Sequence, residues 1–249
     1  MSEIEVPESH PRYQSLLTRH RIEEGVETGI TSTQGLIAEG RGEAFDYLLG
    51  ENTIPSADEA ERVAAAHLLL ARHPVISVNG NIAALVPDDL VELADVTDAD
   101  LEVNLFNRTE ERVQAIADHL YEHGASNVKG QIADERIPGL DHERAKVDSD
   151  GIYAADVVLV PLEDGDRAEA LAEMGKTELV VDLNPLSRSP QTAAVPIIDN
   201  AIRAIPGITT HARELSDFSR DELETIVENF DREEALAKAE RAIREGGDD

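Results

Sequence analysis

Between residues 74 and 199 the chain repeats one pattern five times, and that pattern decides what it can fold into. Short apolar runs, "PVISVN" (74–79), "LEVNLF" (101–106), "DVVLVPL" (156–162), "TELVVDL" (177–183) and "AVPIID" (194–199), alternate with stretches of helical periodicity. A run without polar alternation is a strand buried on both faces. Such strands, separated by helices of about 10–15 residues, build βαβ units and a parallel, doubly wound α/β sheet. Ser56 with Glu59 reads as a capping box for the helix before the first strand, an acidic helix surrounds 88–94, and Asn107 with Glu110 reads as the cap of the helix that stops at Gly124. "DRAEALAEM" separates the third and fourth runs. A helix over 10–29 precedes the core and mostly helical sequence follows Asn200, with Asp231 and Glu234 opening the last helix. The expected organisation is one α/β domain, 1–249: a helical segment to residue 50, an αβ core over 51–199, and a helical segment over 200–249.

Open parallel sheets bind ligands beyond the carboxyl ends of their strands, and here each run ends in polar residues. Asn79 and Asn81 follow the first; Asn104, Asn107 and Arg108 close the second. Glu163, Asp164 and Asp166 follow the third, Asp182, Asn184 and Arg188 the fourth, Asp199 and Asn200 the fifth. "VVDLNPLSRSP" (180–190) is the densest, with a carboxylate, an amide, two hydroxyls and a guanidinium crowded into eight positions beside Pro185 and Pro190. Any one cluster reads equally as a cap for the next helix. Five together, two of them with arginine, read as a binding site.

Composition narrows what that site holds. Fifty-two acidic residues against 22 basic ones give a net charge of −30, and four of the 22 are lysines. A nucleic-acid backbone is repelled by such a chain, as is an anionic membrane surface. Self-repulsion of this size is relieved by screening, so the surface reads as an adaptation to a very salty cytosol. The absence of cysteine excludes disulfides, thiolate metal sites and a cysteine nucleophile. The longest apolar run, 63–71, is too short to span a bilayer, and the first residues lack the pattern of a secretory signal. A cytoplasmic protein is expected.

Two nucleotide motifs fail on inspection. "GKT" (175–177) has Ala170 where a Walker A loop needs its first glycine, and it leads into a strand. "GRGEAF" (40–45) has no preceding strand and no third glycine, so it is not a dinucleotide fingerprint. Arg41 between two glycines still suits a phosphate, with a plain surface turn as the competing reading.

Long motifs then point to a family. "SHPRYQSLLTRHRI" (9–22), "GLIAEGRGEAFDYLLGE" (35–51), "HPVISVNGNIAALVP" (73–87), "NLFNRTEERV" (104–113), "RIPGLDHERAKVD" (136–148), "ADVVLVPLEDGDR" (155–167) and "VVDLNPLSRSPQTA" (180–193) closely resemble archaeal phosphopantothenate synthetases. The resemblance runs from Ser9 to about Phe230. It implies a Rossmann-like homodimer that condenses 4-phosphopantoate with β-alanine in coenzyme A biosynthesis, converting ATP to AMP and pyrophosphate. It also implies ATP contacts at Arg19, Arg41, Asp182, Leu183, Asn184, Arg188, Ser189, Asp199 and Asn200. The chain departs from thermophilic members at its acidic surface and after Phe230.

Such a reaction needs neutralised phosphates, a dry acyl adenylate and a deprotonated amine. Arg108, Arg144 and Lys146, with Asn79 and Asn81, are candidates for substrate binding. His142 in "LDHERAKV" is a candidate base, and Asp164 and Asp166 are candidate Mg²⁺ ligands, although "EDGDR" is as good a turn and helix cap. Two other classes stay open on the residues alone. One is a nucleotide-binding regulator on the same fold, against which no appended partner-binding segment is visible. The other is an ADP-forming acyl-phosphate or kinase-type enzyme, which the missing Walker A loop opposes.

Overall fold

The computed structural model describes residues 7, 9–10, 12–162 and 164–246, so Glu163 lies outside the described residues. The strands, in chain order, are β1 (Pro74–Val78), β2 (Asp100–Val103), β3 (Val128–Lys129), β4 (Glu135–Arg136), β5 (Lys146–Val147), β6 (Val157–Pro161), β7 (Thr177–Asp182) and β8 (Val195–Ile198). Among the described residues, six of them form one parallel sheet in the order β3-β2-β1-β6-β7-β8, while β4 and β5 pair antiparallel beside it. This is the doubly wound order, in which the chain runs outward from β1, returns, and starts again at β6. The crevice between the carboxyl ends of β1 and β6 is the topological switch point.

The continuous apolar runs follow from this placement. In β6, Val157 and Leu159 join one core cluster while Val158 and Val160 join the cluster on the opposite face. With no wet face there is no alternation. The larger cluster is built by α3 (Pro55–Leu70), α4 (Gly80–Leu85), α5 (Pro87–Thr97), α6 (Glu110–Glu122) and α9 (Ala201–Leu215). Facing the other side are α7 (Gly165–Glu173) and the β4–β5 hairpin. A third cluster joins α2 (Thr33–Leu49), β8 and α11 (Arg232–Glu245) through Phe45, Leu49, Ile198 and Leu236. The remaining helices are α1 (Tyr13–Glu27), α8 (Arg188–Thr192) and α10 (Arg220–Glu228). No helix among the described residues is long and apolar enough to cross a membrane.

Several local expectations shift. Helix α3 starts two residues earlier than a Ser56 cap implies, at Pro55 with Ile54 as N-cap, and Ser56 is buried in the first turn. Proline at the first helical position, needing no N–H partner, sets that start. Helix α6 is capped by Thr109, which accepts from the Arg112 backbone N–H at 3.2 Å, and Asn107 instead donates to Gln34 at 2.8 Å. Asp231 caps α11 as expected, accepting from Glu234 N–H. Among the described residues three glutamates inside the architecture are enclosed, Glu61, Glu102 and Glu178. Glu102, in β2, accepts the backbone N–H groups of Asp148 (3.0 Å) and Ile152 (2.5 Å), and desolvation pushes its carboxyl up to about 7. Glu61, in α3, is pushed up to about 9 by burial and by Asp199 and Asp58 nearby.

Candidate active site

Helix α2 crosses the carboxyl edge of the sheet. A Cβ on Gly35 would overlap Asn81 Oδ1, and one on Gly42 would stand 2.9 Å from Asn200 Nδ2, so the helix rests on β1 at one end and β8 at the other. The segment "GRGEAF" is therefore helical, neither a surface turn nor a phosphate loop. Gly35 and Gly42 bring the helix down onto two asparagines, while Gly40 faces open space. On either side of α2 lies a cleft.

The first cleft, about 210 Å³, is at the switch point and is lined by Arg41, Asn79, Asn81, Asn104, Arg112 and Arg144. Asn79 closes its floor: Nδ2 donates to Pro161 O of β6 (2.8 Å), while Oδ1 caps α4 through the N–H groups of Asn81 and Ile82. Asn81 donates to Gly35 O (2.9 Å) and accepts from Thr31 Oγ1, tying α2 to the start of α4 just after β1. Asn104 grips the other wall, donating to the carbonyls of Arg144 and Lys146 and accepting from Arg144 Nε at 3.1 Å. Arg144 is almost wholly buried, with Nη1 3.5 Å from Asp164. Lys146 turns its ammonium to Glu143 (2.7 Å), outside the lining, and Arg108 sits behind, donating to Gly130 O at 2.6 Å. The His142 ring lies 5.6 Å from the ring of Phe106, a lining residue.

The second cleft, also about 210 Å³, lies between α1, α2 and the start of α9, with Arg19, Glu39, Glu43, Asp46, Asn200 and Arg203 in its wall. Arg19 binds Glu43 through both Nε (3.0 Å) and Nη2. Arg203 bridges Asp46 (2.8 Å) and Asp199 (2.5 Å); Asp199 also accepts from Thr53 Oγ1 (2.6 Å) and Asn200 N–H (2.7 Å). Burial still raises the Asp199 carboxyl, with Arg203 pulling the other way. Glu39 is pushed up to about 7 by burial, then by Asp46 and Glu43.

The end of β7 is a folded loop. Asp182 Oδ1 accepts the N–H groups of Leu183 (2.7 Å) and Asn184 (3.1 Å), its Oδ2 accepts Ser187 Oγ (2.8 Å), and Asn184 holds Leu186 N–H. The carboxylate expected to meet the nucleotide thus also shapes the loop. Arg188, 62% exposed, pairs with Asp166 (2.7 Å) and Glu169 (3.5 Å), and Ser189 is buried in the first turn of α8. Asp164 and Asp166 offer hard oxygen ligands at the start of α7, each beside an arginine. Mg²⁺ needs only one or two protein carboxylates when a phosphate supplies the rest, so the pair fits such an ion.

Sequence reasoning brought the strand ends together but missed Arg112, Glu39, Asp46, Thr53 and Arg203. Arg203 had a signal, four residues after Asp199 at helical spacing. Arg112 sits in the first turn of α6 and Glu39 in the middle of α2, where a charge reads as a solvent face.

A family model described as phosphopantothenate/pantothenate synthetase matches residues 56–246. A protein of Thermococcus kodakarensis named 4-phosphopantoate–beta-alanine ligase is 56% identical over 243 residues, covering 97% of this chain and 93% of its own. Proteins of the same name from Methanosarcina mazei and Methanospirillum hungatei are 53% and 51% identical; the alignments cover 97% and 96% of this chain and 95% and 97% of theirs.

Proposed function

The chain belongs to the phosphopantothenate/pantothenate synthetase family, and we propose that it joins 4-phosphopantoate to β-alanine at the expense of ATP, releasing AMP and pyrophosphate, as a carbon–nitrogen ligase of coenzyme A biosynthesis. The observation that carries the division of labour between the clefts is a surplus of donors on one side. Arg108 Nη1 and Arg112 Nε are buried donors with no hydrogen-bond partner, and the His142 ring, one donor and one acceptor when neutral, is likewise unpartnered, in a chain of net charge −30. Buried donors of this kind are costly unless an anion meets them. The phosphate of 4-phosphopantoate is therefore assigned to Arg108, Arg112 and Arg144. Asn79 and Asn81 shape the wall, and Lys146 adds positive charge nearby.

ATP is assigned to the β7–β8 side and to α2, through Arg19, Arg41, the loop 182–189 and the pair Asp199 and Asn200. In this reading β6 separates the two substrates, with β1 and β2 on one side and β7 and β8 on the other. The substrate carboxylate oxygen attacks the α-phosphorus, the bond to pyrophosphate breaks, and the arginines balance the charge that develops. The β-alanine nitrogen next attacks the acyl carbon, AMP leaves, and the ammonium proton passes to a base, for which His142 beside Phe106 is the candidate. Asp164 and Asp166 would hold Mg²⁺, which would supply further charge neutralisation for the phosphates. The reading places the enzyme in the cytoplasm as a homodimer. The exposed apolar side chains of α2, Ile37 (74% exposed), Tyr47 and Leu48, support self-association.

Chromatographic separation of nucleotides tests the reaction. With ATP, Mg²⁺, 4-phosphopantoate and β-alanine in high salt, AMP should appear in step with phosphopantothenate. ADP instead would establish an acyl-phosphate route, and no nucleotide turnover would leave a regulator.

A further inference from the structure

Helices α3 and α9 pack along a seam that contains a carboxylate with little to hold it. Glu61 is 2% exposed, and its Oε1 has no hydrogen-bond partner. The facing helix makes room for it: a Cβ on Gly207 would overlap Glu61 Oε2 and lie 2.8 Å from its Cδ. One helical turn before Glu61, Asp58 stands on the same face of α3; one turn after Gly207, His211 stands on the same face of α9. His211 Nε2 lies 3.0 Å from Asp58 Oδ1, and its Nδ1 lies 3.7 Å from Glu214. One ligand atom from each of Asp58, Glu61 and His211 falls within 4.8 Å of the others.

We infer that Asp58, Glu61 and His211 form a binding site for a divalent transition-metal ion that clamps α3 to α9. Three features support it. Asp58 and Glu61 come from α3 at i and i+3 and His211 from α9, so the site is as rigid as the helices that carry it. An imidazole with two carboxylates suits zinc, cobalt or manganese and is a poor match to magnesium or calcium, which favour oxygen alone. The enclosed Glu61 side chain brings an oxygen into the cluster, and its Oε1 is an acceptor that packing by itself leaves unused.

The position gives the ion a consequence. Arg203, Gly207 and His211 follow one another at four-residue steps along one stripe of α9, and Arg203 is the residue that holds Asp46 and Asp199 beside the second cleft. An ion at the far end of the stripe fixes α9 against α3 and, through it, the guanidinium at the near end. The site is separate from Asp164 and Asp166, which lie at the start of α7.

The test uses nucleotide-free, chelator-treated full-length protein in molar KCl, which suppresses loose binding to the acidic surface. Titration with ZnCl₂ or CoCl₂ by calorimetry should give one ion per chain. Co²⁺ should produce the visible absorption of a low-coordinate nitrogen–oxygen site. Thermal unfolding should rise by about 5 °C or more at a hundredfold excess over Kd, with MgCl₂ giving far less. Glu61→Gln and His211→Ala should each weaken binding at least tenfold and abolish the shift. Asp58→Asn, at an exposed position, serves the same purpose should either inner variant misfold. No stoichiometric binding, or binding that survives His211→Ala and Asp58→Asn unchanged, would overturn the assignment.

Discussion

At the ends of β7 and β8 the carboxylates have found their donors: Asp182 folds its own loop, and Asp199 is held by Arg203, Thr53 and a backbone N–H. At the ends of β1 and β2 the imbalance runs the other way, with Arg108, Arg112 and His142 keeping buried donors that no protein acceptor meets. The first region is finished before any ligand arrives, so its polar groups contribute to stability. Donors at β1 and β2 remain costly until an anion binds. Damage on the β8 side should therefore register in unfolding, and damage on the β1–β2 side in turnover.

The sharpest probe of that contrast leaves the protein untouched. Unphosphorylated pantoate leaves the arginine donors unpaired, and sites built around a polar group reject analogues lacking it by about 10⁴. Its kcat/KM should fall by that order; parity with 4-phosphopantoate would place the phosphate elsewhere. Next in size is Asp199→Ala, which leaves Arg203 with Asp46 alone and should lower stability by about 3 kcal/mol in denaturant titration. An unfolding midpoint equal to wild type would erase the distinction between the regions.

Arg112→Ala should behave oppositely. Removing one charge-assisted contact should cut kcat/KM about 10- to 100-fold, mainly through KM for 4-phosphopantoate. The midpoint should stay near wild type, because the side chain's hydrogen bonds go to two loop carbonyls, Asn107 O and Ile30 O. The smallest effect concerns pH. Glu39 titrates near 7 in the folded chain against an ordinary value of 4.5, so folding favours its protonated form. Its contribution is complete below about pH 4.5 and is lost as pH rises through 7. Glu39→Gln should match wild type near pH 4.5 and exceed it by about 1–2 kcal/mol at pH 8, solvent screening included. A difference that does not grow with pH would show that Glu39 is not desolvated in the second cleft.

The core strands were legible because burial on both faces leaves an unbroken apolar run, and the strand ends were legible because polar residues follow each one. The two-residue strand β3 and the β4–β5 hairpin were not, since two residues carry no periodicity. Gly40 and Gly42 were misread because glycine marks a turn locally, while in α2 the packing against Asn200 decides. Glu61 stands in an alanine-rich helix with an ordinary acidic first turn, and only the arrival of α9 encloses it. Arg112 belongs to an amphipathic pattern whose polar face happens to meet a cleft.

The helix that crosses the strand ends also has a thermodynamic meaning. Arg41 of α2 lines one cleft and Glu39, Glu43 and Asp46 line the other, so a single rigid rod is a wall of both chambers. A molecule that shifts or steadies this rod from one side alters the fit on the other. Such influence is reciprocal by necessity: whatever factor nucleotide applies to the affinity of the acid, the acid applies to the nucleotide. Paired titrations, each with the other chamber filled or left open, should return the same factor twice.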